Sequence, residues 1–113
     1  MEERFSTYEA FWPFYVSQHL DLTNRYLHFV GTTLVIAFGA ASVLDTPAWF
    51  VAVPLAGYGF AWVGHFFFER NKPATFRHPL WSLRADFRMY RLMWLGRMRP
   101  EIARARDLFP ARS

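Results

Sequence analysis

Leu27–Leu44, LHFVGTTLVIAFGAASVL, and Pro47–Phe68, PAWFVAVPLAGYGFAWVGHFFF, decide the fold. The first run is apolar or small apart from His28, Thr32, Thr33 and Ser42, and the second apart from Tyr58 and His65. Only Asp45-Thr46 separates them. Each run approaches the ~20 residues that cross a bilayer core about 30 Å thick. Two such runs joined by a tight turn predict a helical hairpin in a lipid bilayer. In a hairpin, facing positions carry numbers that sum to a near-constant. His28 and His65 sum to 93, as do Asn24 and Glu69, which sets the midpoint at the Asp45-Thr46-Pro47 turn. Four polar groups then stack at one depth, at the end away from the turn. An ionisable side chain on a membrane helix is costly and is a functional-site candidate by default.

The bulk composition conceals this partition. Mean hydropathy is +0.02, yet residues 27–68 carry no charge except Asp45. From Arg70 onward there are eleven Lys or Arg against Asp86, Glu101 and Asp107, while residues 1–25 hold four acids and two arginines. Lys and Arg are retained on the cytoplasmic side, so the turn is expected outside or in a lumen and both termini in the cytoplasm. That orientation fits a bacterial inner membrane or the endoplasmic reticulum of a eukaryote. A net charge of +4 also fits nucleic acid. The basic residues flank an apolar hairpin, however, and attraction to anionic lipid, about 1 kcal/mol per cation near the surface, accounts for them. No nucleic-acid partner is expected. The absence of cysteine excludes disulfides and thiolate metal ligands. The acidic, aromatic N-terminus lacks the basic start of a cleavable signal peptide. At 113 residues, one membrane domain, 1–113, is the natural expectation. Two spans bury little area alone, which favours a homodimer.

The flanks predict an all-α chain, an integral membrane helical hairpin with flanking interfacial amphipathic helices. Phe5, Tyr8, Trp12, Tyr15 and His19 fall at spacings of three and four, so one face of a helix over about 5–20 carries them all. Aromatic rings gather at membrane interfaces. Pro13 marks either a helix start or a kink. Asp21 or Thr23 can cap the first span. Pro54 predicts a kink in the second span, and Gly39 opposite it predicts close helix approach. Residues 69–79 read as a loop. A helix over about 80–98 sets Leu80, Leu83, Phe87, Tyr90 and Trp94 on one face and Arg84, Arg88 and Arg91 on another, the composition of a headgroup-layer helix. The basic tail, 100–113, reads as mobile.

The chemistry-bearing residues converge on one level. Asn24 and His28 share a helix face, as do His65 and Glu69. About eighteen residues from the turn, or roughly 27 Å, bring His28 to the cytoplasmic boundary. His19 lies across the Asp21–Asn24 break and can fold back to that level, and His78 comes after a proline loop. The candidate catalytic set is His28, His65, Glu69 and Asn24. The candidate metal ligands are His19, His28, His65 and Glu69. Imidazoles with one carboxylate and no thiol suit Fe(II), Zn, Mn or Cu. Iron held this way activates O₂, whereas zinc lowers the pKa of a bound water. Asn24 would orient a ligand. Each residue also has a plainer reading: a hydrogen-bonded span histidine, a Glu69 paired with Arg70, Lys72 or Arg77, and arginines on a solvated face.

A longer pattern carries a resemblance. It runs His19, Asn24-x3-His28-x2-Gly31, Tyr58-Gly-Phe-Ala-Trp62-x-Gly-His65-Phe-x-Phe-Glu69-x3-Pro73-Ala74-Thr-Phe76 and Pro79-Leu-Trp-Ser82-Leu-x-x-Asp86. This resembles a family of small membrane proteins named for the metabolism of phytosphingosine to odd-numbered fatty acids, over residues 10–90. The resemblance implies an Fe(II)-dependent dioxygenase of fatty acid α-oxidation, which uses O₂ to shorten a 2-hydroxy fatty acid by one carbon. It also implies iron ligation by histidines: His19, His28 and His65 match motif histidines, and Glu69 matches a motif acid. His78 falls where the family carries an aromatic residue. The substrate's tail would lie in lipid, and Arg25, Arg70 or Lys72 could hold its carboxylate. Two other classes stay open on the residues alone: a b-type haem protein with His28 and His65 as axial ligands, and a non-catalytic membrane scaffold or lipid-binding module.

Overall fold

The structure, a computed structural model, describes residues 5–72 and 77–110. Among them it is all-helical: α1 (Tyr8–Ser17), α2 (Leu22–Leu44), α3 (Ala52–Val63), α4 (Pro79–Leu95) and α5 (Met98–Leu108). A 3₁₀ turn, Pro47–Val51, leads into α3, and a π-helical turn, Gly64–Glu69, continues it. Asp21–Lys72 forms one compact unit, and the chain on either side of it forms another.

The hairpin is the first of these units. Leu22–Leu44 and Pro47–Glu69 are each 23 residues long and apolar enough to cross a membrane by length and composition. Asp21 starts α2 as expected, its side chain accepting the Asn24 backbone N–H at 3.0 Å. At the other end Asp45 Oδ2 accepts the Trp49 indole N–H at 2.9 Å, and Trp49 stacks on Phe38. The outward side chains remain uncovered: Val43 is 82 %, Leu55 71 % and Phe67 72 % exposed. So large an apolar surface needs lipid or a partner to cover it.

Two details differ from the sequence reading. Pro54 sits in the first turn of α3, just past the 3₁₀ turn, where a missing N–H is tolerated. The close helix approach is not at Gly39, which has open space around it. A Cβ at Gly31 would meet Phe60 Cβ at 3.0 Å and the Ala56 carbonyl oxygen at 3.3 Å, and one at Gly57 would meet Val35 at 3.2 Å.

The other unit is built by α1, α4 and α5. Thr7 caps α1, which runs through Pro13 rather than starting there. Phe11, Trp12, Tyr15 and Val16 are buried with Ala85, Met89, Met98 and Ala105. The aromatic stripe of this first helix, expected from sequence at the membrane interface or partly inserted, is therefore packed into a protein core. The tail assigned as mobile is helical from Met98 to Leu108. It is recruited because Met98, Ile102 and Ala105 share one face and because Glu101 accepts the Trp12 indole N–H at 2.7 Å. Gly96, at φ 67°, ends α4 and lets Arg97 return its N–H to the Leu92 carbonyl. The arginines of α4 do more than meet solvent: Arg84 lies 3.9 Å over the Tyr8 ring and Arg88 4.3 Å over the Trp12 ring. The apolar residues Leu80, Leu83, Phe87 and Trp94 stay exposed on α4.

Asp86 is half-buried in this unit and accepts the Tyr15 phenol O–H. Burial raises its carboxyl to about 7, partly offset by the Tyr15 hydrogen bond. Burial and the neighbouring Asp86 push the Tyr15 phenol up as well.

Both packings can be tested by stability measurements. Gly31→Leu forces α2 and α3 apart and lowers stability by about 1–3 kcal/mol, whereas Gly39→Leu leaves it nearly unchanged; thermal unfolding in detergent micelles measures both. Between about pH 4 and pH 7, the unfolded chain has released the Asp86 proton that the folded chain keeps. Stability therefore falls as pH rises through that window. Asp86→Asn still accepts from Tyr15 but cannot ionise, so its unfolding midpoint should vary less with pH over the same range than that of the parent.

Candidate metal centre

The polar end of the hairpin is closed by backbone capping. Glu69, last residue of the π turn, accepts the Asp21 backbone N–H. The end of one apolar segment is thereby bound to the start of the other. One turn into α2 comes Asn24, fully buried. It lies on Gly64, where a Cβ would come within 1.9 Å of Asn24 Oδ1. Glycine is thus required to let the amide in. A further turn along is His28, and beside Gly64 is His65. Their rings meet edge to face, with centroids 4.9 Å apart. The equal sums in the sequence anticipate this meeting.

The π turn sets how His65 is held. Its wider ring of hydrogen bonds carries one more residue than an α turn, a distortion common at functional sites. It ends at Arg70, whose φ of 59° and ψ of 43° lie in the left-handed region. That reversal sends the chain back over the turn. The His65 carbonyl accepts the Arg70 N–H and, at 2.9 Å, the Asn71 N–H. The Asn71 side-chain oxygen then lies 2.6 Å from Nδ1 of the same histidine.

A common pattern joins the buried histidines. His28 Nδ1 is 3.0 Å from the Asn24 carbonyl oxygen. In the other unit, His19 comes after the end of α1, stacks on Tyr15 at 4.1 Å and sets Nδ1 2.7 Å from the Tyr15 carbonyl oxygen. A peptide carbonyl can only accept, so Nδ1 of His19 and of His28 carries the proton and Nε2 carries the lone pair. Asn71 imposes the same tautomer on His65 when its oxygen faces the ring. Metal-binding histidines show this arrangement, one ring nitrogen donating to an oxygen while the other coordinates. His19, His28 and His65 are thus buried imidazoles, each held in a manner suited to a divalent-metal ligand. Asn24 supplies a second sign of a ligand. Neither Oδ1 nor Nδ2 of its buried amide makes a hydrogen bond of good geometry among the described residues, although Glu69 is in its electrostatic reach. An unmet buried amide costs about 1–3 kcal/mol, which a bound polar group would offset.

The remaining sequence-predicted residues fall elsewhere. Glu69 is turned onto the Asp21 backbone and is not grouped with the histidines. His78 stacks on Trp81 and edges onto Phe5 and Phe11, an aromatic setting rather than a ligating one. Arg70 and Lys72 are exposed and Arg25 is half-buried at the same end of the hairpin. The motif residues Pro73, Ala74 and Phe76 lie outside the described residues. Asn71 is the residue that sequence reasoning missed. A haem with two axial imidazoles holds its macrocycle between the rings, and the edge-to-face contact of His28 and His65 leaves no slot for one.

The motif that spans these elements also decides the relationship to known proteins. A family model described as 2-hydroxy-palmitic acid dioxygenase Mpo1-like matches residues 5–98. The chain belongs to this Mpo1-like family. The match takes in α1 to α4, so both units of the structure contribute to the family pattern. No curated protein and no solved structure matches the chain. The family name specifies a dioxygenase and a 2-hydroxy fatty acid.

The close fit of Asn24 on Gly64 is open to a double-mutant test. Gly64→Ala drives a methyl into the Asn24 amide and should destabilise the protein by about 1–3 kcal/mol. Adding Asn24→Ala should restore most of that loss, a non-additivity read by thermal unfolding of the two single variants and the double variant.

Proposed function

We propose that this protein is an Fe(II)-dependent membrane dioxygenase that converts a 2-hydroxy fatty acid to the acid one carbon shorter. The observation that carries the reading is the set of three buried histidines, each with Nδ1 against an oxygen, within a chain of the Mpo1-like family. His28 and His65 would hold the iron from the hairpin. His19 would complete the set, being separated from Asp21, the first residue of the hairpin unit, by Leu20 alone. Ferrous iron supplies the capacity to activate O₂ beside a substrate bound through oxygen. The overall change balances without a further reductant: the 2-hydroxy acid and O₂ give the shortened acid, CO₂ and water.

The chain's own residues account for the rest. Asn24, buried beside Glu69, can hydrogen-bond the hydroxyl and carboxylate of a bound acid. Glu69 holds the two ends of the hairpin together through Asp21. Arg25, Arg70 and Lys72 offer cations for the carboxylate at the membrane surface. The exposed apolar flanks of α2 and α3 give the alkyl tail a lipid path to the site. We place this end at the cytoplasmic face, in keeping with the excess of Arg and Lys after residue 69.

The test is an assay of purified full chain with 2-hydroxypalmitate and Fe(II), in air and without oxygen, beside metal analysis. The expected result is stoichiometric iron and a fifteen-carbon acid formed only in air. His28→Ala and His65→Ala should each lose iron and activity together. Iron retained by either variant refutes the assigned centre, and iron-loaded protein without oxygen-dependent product refutes the activity.

A further inference from the structure

Asn71 has no role in the site set predicted from sequence, and nothing in the family description assigns it one. It nevertheless touches His65 at two points. Its backbone N–H binds the His65 carbonyl at 2.9 Å, and its side-chain oxygen meets His65 Nδ1 at 2.6 Å. Both contacts depend on the left-handed turn at Arg70. His28 and His19 differ from His65 in this respect. Each of those takes its Nδ1 acceptor from the carbonyl four residues back. His65 takes its Nδ1 acceptor from the Asn71 side chain instead.

We propose that Asn71 is the positioning residue of the metal centre: its amide oxygen fixes His65 as the Nδ1–H tautomer and aims Nε2 as the ligand atom. This role rests on the metal-binding reading of the three histidines. Asn71 itself does not touch metal or substrate. It acts through the orientation and basicity of one imidazole, as the outer partners of ligating histidines do.

The test is a metal titration of the full chain in detergent micelles with Co(II), whose visible absorption reports ligand geometry. The parent should bind one Co(II) with a tetrahedral-type spectrum. Asn71→Ala should bind about 10–100-fold more weakly with an altered spectrum, at unchanged helical circular dichroism. Asn71→Asp, which can only accept, should restore affinity to near that of the parent. Equal affinity in the parent and Asn71→Ala overturns the proposal. So does an Asp variant as weak as the Ala variant, because the amide N–H₂ would then be the group facing Nδ1. Should Asn71→Ala not fold, histidine ¹⁵N NMR of the Zn(II)-loaded parent decides: His65, assigned with His65→Gln, must carry its proton on Nδ1, and a proton on Nε2 overturns the proposal. A parent that binds no metal fails at the earlier step and removes the metal reading together with this one.

Discussion

A neutral imidazole has one proton and two nitrogens, and whichever nitrogen donates leaves the other with its lone pair. That constraint organises the polar end of this protein. The carbonyl four residues back lies against Nδ1 of His19 and His28, and a side-chain oxygen does so for His65. With Nδ1 set against an oxygen, Nε2 of each ring keeps its lone pair, and an imidazole held so suits a cation. Positive charge would otherwise be expensive in such a setting, since burial disfavours ionised groups that lack partners.

The architecture around the histidines serves this arrangement. The hairpin crosses closely at Gly31 and Gly57, so α2 and α3 stay in register along their length. At the open end, Asp21 and Glu69 tie the start of one segment to the end of the other. Gly64 admits Asn24, and the π turn carries His65 to meet His28. The helices outside the hairpin solve a different problem. They bury an aromatic face among α1, α4 and α5 and position His19 at the exit of α1, where its ring also satisfies a terminal carbonyl.

Much of this was legible in the sequence, for identifiable reasons. Two helices of equal rise running antiparallel make position sums meaningful, so His28 and His65 could be paired before any coordinates. Asp21 as a cap comes from side-chain chemistry alone. The errors also have causes. Arginines obscured the Met98, Ile102 and Ala105 face, and a helix was read as a mobile tail. The aromatic face of α1 has the same composition whether it meets lipid or protein, and spacing cannot separate the two. Gly39 was chosen for being small and opposite Pro54, whereas close approach depends on which side of the helix faces its partner. Asn71 was invisible because its placement needs both a π turn and a left-handed Arg70, neither of which leaves a periodic signal. Pairing by sums put Glu69 at the right depth but could not say that its carboxylate would serve a backbone N–H.

The extra residue of the π turn ties chain length to chemistry. Phe66, Phe67 and Phe68 occupy its middle, and their rings are exposed, so by side-chain contacts any one of them looks dispensable. Were the same six residues to wind as regular α-helix, the residues after them would swing by about 100° around the axis. Glu69, Arg70 and Asn71 would then leave their partners together. The wider hydrogen-bonded ring, and not the three phenylalanine side chains, therefore sets what stands beside His65.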